Sequence, residues 1–199
     1  MSPIRHPKPQ GDFNLFIELY MEKPKLLLHI CCVGCGVYVS RQLKQDYDVI
    51  LFFYNPNIWP EEEYKKRLAE AEKIAEQFNL ELIKGEYEHD KWLKAARGHE
   101  SDPEKGQRCL ICYKFRLGAA AAMAKKINCA YLATTLTTSP HKDASAINKI
   151  GEQAAGEYGL KFLAGDFKKQ DGFKKSAALA KELNLYRQNY CGCEFSRKE

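Results

Sequence analysis

The fold of this chain is decided by the stretch Leu26-Leu27-Leu28-His29-Ile30-Cys31-Cys32-Val33-Gly34-Cys35-Gly36. Its first five residues form an apolar run typical of a buried strand, and the cysteines and glycines after it mark the place where a helix should begin. In an open parallel α/β sheet, ligands bind in the crevice beyond the carboxyl ends of the strands. Because thiols occupy this crevice in place of phosphate-binding glycines and serines, the stretch indicates metal or redox chemistry.

Further apolar strands alternate with helices along the rest of the chain. The alternation predicts a doubly wound, mostly parallel five-stranded α/β sheet with a cysteine-rich metal site at the carboxyl edge of its strands. Strands are predicted over residues 25–30, 47–54, 80–84, 130–134 and 161–163, and helices over residues 36–44, 61–79, 89–97, 109–127, 143–158 and 176–182. Residues 23–199 are expected to form a single domain. Residues 1–22 are expected to be an N-terminal tail with a short helix.

Composition places the chain among ordinary globular proteins. Its 199 residues are 45% hydrophobic and 29% charged, with a formal net charge of +5. A charge this mild permits an anionic partner without requiring one. No apolar run is long enough to cross a bilayer, and the first 23 residues lack the apolar segment of a signal peptide. We therefore expect a cytoplasmic protein with no membrane partner, in which clustered cysteines indicate metal binding or catalysis.

Seven of the eight cysteines fall into three tight groups, and only Cys129 stands apart as an expected structural residue. The pair Cys31 and Cys32 ends the first strand. The pair Cys109 and Cys112 lies where a polar loop enters a helix, whose N-terminus lowers thiol pKa values. Together the two pairs supply four thiolates, which suit a [4Fe–4S] cluster or a tetrahedral zinc ion. The alternative is that the first pair is merely buried, since cysteine is among the most buried residue types.

The third group, Cys191-Gly192-Cys193, has a spacing that suits a labile disulfide better than shared ligation of one ion. Gly192 would relax the backbone of such a bond. The alternative is an unimportant end of the chain. Cys35 lies one helical turn past the first pair. Three interpretations of it stay open: a further metal ligand, a proton donor or a core residue.

Polar and aromatic side chains are predicted at the same edge of the sheet. The segment 134–142 follows the fourth strand, is rich in hydroxyl donors and ends in two cationic side chains, His141 and Lys142. It either caps a helix or binds a polar or anionic substrate. Trp59 and Tyr64, beyond the second strand, could stack a nucleic-acid base, although a tryptophan in such a loop more often packs on the core.

Several motifs occur in one order over residues 23–195, and their combination is more specific than any one of them. They are Cys31-Cys32 after the apolar strand, Phe53-Tyr54-Asn55-Pro56-Asn57-Ile58 with Pro60 and Glu63-Tyr64-x-x-Arg67, Arg108-Cys109-x-x-Cys112-Tyr113-x-x-Arg116, Thr134-Thr135-Leu136 with Ser139-Pro140, and Tyr190-Cys191-Gly192-Cys193. Together they resemble the QueH family of epoxyqueuosine reductases.

This resemblance implies a fold similar to the adenine-nucleotide α-hydrolase-like (HUP) domains. It implies that the epoxide of epoxyqueuosine is reduced to queuosine at the wobble position of a tRNA, the last step of that tRNA modification. The implied ligands of a [4Fe–4S] cluster are Cys31, Cys32, Cys109 and Cys112. Cys191 with Cys193 is implied to be a redox-active disulfide, and Cys35 to be a ligand of an additional mononuclear iron that some members carry.

Removing an epoxide oxygen as water takes two electrons and two protons. The implied partners are therefore a tRNA carrying epoxyqueuosine and an electron donor that the sequence does not identify. The candidate proton donors are His141, Lys142, Asp143 and Tyr113. The candidate catalytic residues are His141 and three cysteines, Cys35, Cys191 and Cys193. Two alternatives stay open on the residues alone: a zinc-stabilised RNA-binding module without catalysis, and a thiol–disulfide oxidoreductase.

Overall fold

The computed structural model describes residues 22–197, so the short helix expected before residue 22 lies outside the described residues. One sheet is formed by five strands: Lys25–His29 (β1), Asp48–Phe53 (β2), Glu81–Lys84 (β3), Tyr131–Thr134 (β4) and Lys161–Phe162 (β5). Neighbouring strands pair in parallel throughout, in the order β3-β2-β1-β4-β5. The predicted doubly wound five-stranded sheet is confirmed.

Helices cover both faces of the sheet, which explains why the central strands read as continuous apolar runs. Within the described residues the α-helices are Val33–Leu43 (α1), Glu61–Phe78 (α2), His89–Ala96 (α3), Gln107–Lys126 (α4), Ala144–Glu157 (α5) and Gly172–Glu182 (α6). Successive side chains of a strand point to opposite faces. Leu27 accordingly packs with α4 and α5, whereas Leu26 and Leu28 pack with α1, α2 and α6.

The helix after β1 begins earlier than the sequence predicts. Its first residue is Val33 instead of Gly36, so two glycines lie in its first turn. Their low helix propensity hides this start in the sequence. Their small size serves close packing, since a Cβ on Gly36 would lie 3.5 Å from the side chains of Ile30 and Thr135.

The order of the strands reverses between β1 and β4, and this switch point is where a doubly wound sheet opens a crevice. The buried His29 joins the strand ends there. Its Nδ1 lies 2.9 Å from Thr134 Oγ1, and its Nε2 lies 3.2 Å from the carbonyl oxygen of Tyr54. Burial, with a smaller contribution from the charge of Arg116, holds the pKa of His29 well below its usual value, so the ring is neutral.

None of the helices described within residues 22–197 has the length and apolar character needed to cross a membrane.

Candidate active site: a cavity lined by thiols

A cavity of about 520 Å³ lies at the switch point, and cysteines from all three sequence groups meet there. The thiol-bearing residues that line it are Cys31, Cys32, Cys35, Cys109, Cys191 and Cys193. Cys112 lies behind this wall, packed with Trp92, Ala96 and Cys193. All eight cysteines are thiols in this structure. Three of the four predicted cluster ligands, Cys31, Cys32 and Cys109, therefore line one cavity, and the fourth, Cys112, is packed behind its wall.

The thiols line a cavity and do not surround a single point. Among the described residues 22–197, no three His, Cys, Asp or Glu side chains lie close enough together to hold one metal ion. The closest thiol contact described is between Cys31 and Cys32, whose sulfur atoms are 3.8 Å apart.

The first pair lies between the end of β1 and the start of α1. Cys31 Sγ is 4.0 Å from Thr135 Oγ1, beyond β4. The hydrogen bond to Cys32, and then burial, raises the pKa of the Cys31 thiol far above its usual range. The pKa of Cys32 is raised to about 11: its hydrogen bond with Cys31 acts to lower it, but the hydrogen bond with Cys35, burial and the charge of Cys35 outweigh that effect.

The second pair lies in the first turns of α4, as predicted. Cys109 Sγ accepts a hydrogen bond from the backbone N–H of Lys105 at 3.3 Å. The expectation that the helix N-terminus lowers these thiol pKa values is wrong in its net direction. Burial raises the pKa of Cys109, and it raises that of Cys112 to about 11 although the nearby Arg116 acts in the opposite sense.

Two cations face the thiols. Arg116 is 2% exposed; its Nη1 lies 4.0 Å from Cys112 Sγ, and its Nη2 donates a hydrogen bond to Asn55 Oδ1. Lys142 is half-buried and lines the cavity. Burial alone would lower the pKa of Lys142, but the charges of Cys191, Cys31, Cys35 and Cys32 outweigh burial and leave it raised.

The chain end that carries Cys191 and Cys193 is docked by a buried ion pair. Arg67 Nε lies 2.7 Å from Glu63 Oε1, and both side chains are buried. The two terminal nitrogens of Arg67 donate to the backbone carbonyls of Cys191, at 3.0 Å, and Tyr190, at 3.3 Å. The segment that carries Cys191 and Cys193 is therefore held in place by contacts with α2.

Gly192 completes the docking. Its carbonyl accepts a hydrogen bond from the backbone N–H of Trp59 at 2.8 Å. Its φ of +135° lies in the region that favours glycine. A Cβ there would also meet Arg67 Nη1 and Ile58 Cγ1, each at 3.1 Å.

The other predicted residues divide between the cavity and the surrounding structure. His141 and Tyr113 line the cavity, the first exposed and the second buried. Asp143 caps α5 by accepting from the backbone N–H groups of Ser145 and Ala146, which confirms its predicted capping role.

The two aromatic residues predicted to stack a base differ in exposure. Trp59 is 40% exposed, whereas Tyr64 is 6% exposed and donates its hydroxyl to the carbonyl of Gly85. Only Trp59 of the two is available to a ligand.

The sequence analysis did not assign roles to Glu63, Arg67 or Asn55, although all three belong to the motifs. Arg116 was expected to add charge beside the second cysteine pair, and its Nη1 lies 4.0 Å from Cys112 Sγ. A signal for Glu63 and Arg67 was present, because they place charges on the apolar face of α2 that carries Ala71 and Ile74. A charged pair on a buried helix face needs a partner elsewhere in the fold.

The donor set fits an anionic cluster held by thiolates. Thiolate sulfur is the ligand that iron–sulfur clusters take in proteins. Burial raises the pKa of the Cys112 thiol, and Arg116 and Lys142 would face the negative charge that forms when metal displaces thiol protons. Cys31, Cys32, Cys109 and Cys112 could supply the four sulfurs that such a cluster needs.

The fold and the site together define a class of protein: a doubly wound α/β domain with cysteine thiols gathered in the crevice at its switch point. Comparison with known proteins narrows this class. The family model described as epoxyqueuosine reductase QueH matches residues 26–199. The chain belongs to the QueH family.

Two curated relatives illustrate the match, and both carry the name epoxyqueuosine reductase QueH. The protein from Streptococcus pyogenes serotype M1 is 35% identical over 182 residues, which cover 88% of this chain and 71% of the relative. The protein from Thermotoga maritima is 37% identical over 177 residues, which cover 87% of this chain and 91% of the relative.

A solved structure shares the fold at low sequence identity. It is described as the U34-tRNA thiolase NcsA from Methanococcus maripaludis with its [4Fe-4S] cluster. The TM-score is 0.58 at 14% identity, over 91% of this chain and 64% of the thiolase chain. The likeness supports the predicted α/β architecture.

Proposed function

We propose that this protein reduces the epoxide of epoxyqueuosine at the wobble position of tRNA, giving queuosine, and that it uses a [4Fe–4S] cluster to do so. The observation that carries this proposal is the meeting of three cysteine groups in one cavity of a chain that belongs to the QueH family. The thiolase of similar fold, whose structure holds a [4Fe-4S] cluster, adds support for the cofactor.

Cys31, Cys32, Cys109 and Cys112 are the proposed ligands of the cluster. When bound, a [4Fe–4S] cluster supplies electrons one at a time. Cys35 lines the same cavity as Cys31 and Cys32, so it is the proposed ligand of an additional iron beside the cluster.

The remaining thiol pair balances the reaction. In the substrate both carbon–oxygen bonds of the epoxide break, a carbon–carbon double bond forms, and the oxygen leaves as water, which consumes two electrons and two protons. Oxidation of the thiols of Cys191 and Cys193 to a disulfide releases two electrons and two protons. The pair is therefore the proposed source of the two electrons for one turnover. An external reductant reduces the resulting disulfide again by thiol–disulfide exchange.

Protons reach the oxygen from side chains that line the cavity. Lys142 is positively charged beside the thiols, and Tyr113 is a buried hydroxyl on the same wall. Burial raises the pKa of Tyr113, so its proton is not lost to solvent near neutral pH. His141, at the exposed rim, is the proposed relay of protons from water.

The charge around the cavity suits an RNA substrate. Within residues 22–197 the wall carries five Lys and Arg side chains and one carboxylate, that of Glu104. The cations are Lys105, Arg108, Lys142, Arg187 and Arg197. Phosphate groups are drawn to such a wall. Proteins that act on a base in a single-stranded loop splay it out of its stack, and the cavity is the proposed receptacle for it. Action on tRNA would place the protein in the cytoplasm.

Nucleoside analysis of tRNA tests the activity. A strain lacking the gene should accumulate epoxyqueuosine, and the wild-type gene should restore queuosine whereas Cys31→Ala and Cys112→Ala should not. Unchanged queuosine in the deletion strain would refute the proposal.

Purification without oxygen tests the cofactor. The protein should hold about four irons and four sulfides per chain. Stoichiometric zinc without sulfide would support an RNA-binding module instead, and reductase activity that survives Cys109→Ala would support a thiol–disulfide oxidoreductase.

A further inference from the structure

Arg116 is a buried cation without an anionic partner. It is 2% exposed, and within residues 22–197 neither it nor Lys142 forms an ion pair with a carboxylate. Arg67, equally buried, has Glu63 at 2.7 Å. A buried charge is costly to a fold unless it is paired. Arg116 therefore calls for an anion that no carboxylate within the described part of the chain provides.

The surroundings of Arg116 show where that anion would lie. Nη1 is 4.0 Å from Cys112 Sγ. Its Nε, fully buried, has no hydrogen-bond partner among the described residues. Nη2 is fixed by Asn55, whose own amide N–H donates to the carbonyl of Ile30 at 2.9 Å. This chain of contacts holds the guanidinium beside Cys112 and ties it, through Asn55, to the end of β1.

We propose that Arg116 is the fixed counter-ion of the cluster that the proposed function places on Cys31, Cys32, Cys109 and Cys112, and that its charge sets how readily the cluster accepts an electron. The inference rests on that proposed function. Each electron taken up adds one negative charge to the thiolate-bound cluster. A cation in a poorly solvated position stabilises the reduced, more negative cluster more than the oxidised cluster, so it favours reduction. Arg116 is thus a positioning residue that acts through the cluster.

The experiment measures the midpoint potential of the purified, cluster-containing protein by a redox titration followed by electron paramagnetic resonance. Arg116→Gln removes the charge and keeps a hydrogen-bond donor for Asn55. The reduction equilibrium should become about tenfold less favourable or more, which for a one-electron couple is a shift of about 59 mV to more negative potential. Arg116→Lys should restore most of the wild-type value. Lys126→Gln, an exposed cation at the far end of the same helix, is the matched control and should leave the potential unchanged.

A second measurement covers the case in which Arg116→Gln does not keep its cluster. Without a cluster the wild-type guanidinium lacks its counter-ion, so the cluster-free variant should unfold at the same temperature as cluster-free wild type or higher. A merely structural arginine predicts an equal loss of stability with and without cluster and an unmoved potential, and either result overturns the inference. Wild-type protein without iron and sulfide would instead refute the proposed function on which the inference rests.

Discussion

Replacing Arg67 should release the Cys191–Cys193 segment from its dock. In Arg67→Met the carbonyls of Tyr190 and Cys191 lose their charged donors. A hydrogen bond to a charged group contributes about 1.5–3 kcal/mol, so two contribute about 3 kcal/mol at the low end. Since about 1.4 kcal/mol is tenfold in an equilibrium constant, the segment should open about 100-fold more often.

The rate at which a thiol reagent modifies Cys193 reports this opening. Cys193 is 8% exposed in the docked segment, and Cys129, 4% exposed at the start of β4, is an internal control in the same molecule. We expect Cys193 in the reduced protein to react about 100-fold faster in the variant, as its opening equilibrium predicts, whereas the rate of Cys129 reports any general loss of stability. The measurement is mass spectrometry of peptides after timed exposure to N-ethylmaleimide.

A second substitution separates docking from burial of charge. Arg67→Met leaves the carboxylate of Glu63 buried and unpaired, which costs about 3–5 kcal/mol of stability. Glu63→Gln in the same chain removes that charge and should recover much of the global stability without restoring protection of Cys193. Wild-type reactivity of Cys193 in the double variant would show that other contacts hold the segment, and it would refute the role given to Arg67.

Three further predictions follow from the same geometry. Gly192→Ala should destabilise the protein by about 1–3 kcal/mol in denaturant unfolding, because of its φ of +135°. Gly118→Ala, where a Cβ meets no atom of residues 22–197 within 4 Å, should be neutral or stabilising. Folding raises the pKa of Cys112 to about 11, so the contribution of this thiol to the stability of the cluster-free protein should be complete below about pH 9 and should fall as the pH rises toward 11. A thermal midpoint that rises with pH between these values would contradict this prediction. Trp59→Ala should weaken binding of an anticodon stem-loop RNA about 5- to 150-fold in fluorescence anisotropy and Trp59→Phe much less, and wild-type affinity in the alanine variant would exclude base stacking there.

The elements that the sequence predicted well are those whose signal is local. The apolar runs of β1 and β2 are buried on both faces, and no turn residue interrupts them. Their ends could therefore be located, and with them the positions of Cys31 and Cys32. The start of α1 was missed because glycines in its first turn serve contacts with side chains distant in the chain, which helix propensity does not register.

The parts of the site that the sequence did not reveal depend on contacts between distant residues. Arg67 and Cys191 are 124 positions apart, and Arg116 and Asn55 are 61 positions apart. Neither contact leaves a periodic pattern in the chain. The buried Arg67 donates to two backbone carbonyls of the Cys191–Cys193 segment and its neighbour. The buried Arg116 donates to the side-chain amide oxygen of Asn55, just beyond β2. Such contacts follow only from the packing of whole elements, which a single sequence does not specify.

The loop after β2 links the surface to the thiol pair. The backbone N–H of Trp59 donates to the carbonyl of Gly192, and the hydroxyl of Tyr190 donates to the carbonyl of Trp59. The exposed ring of the same tryptophan lies 5.5 Å from the guanidinium of Arg197, a residue that lines the cavity. Trp59 holds the thiol segment through its backbone and faces solvent through its side chain, so a ligand that displaces this loop would break its hydrogen bond to Gly192. The reactivity of Cys193 should therefore respond to bound RNA, and it should cease to do so in Trp59→Ala.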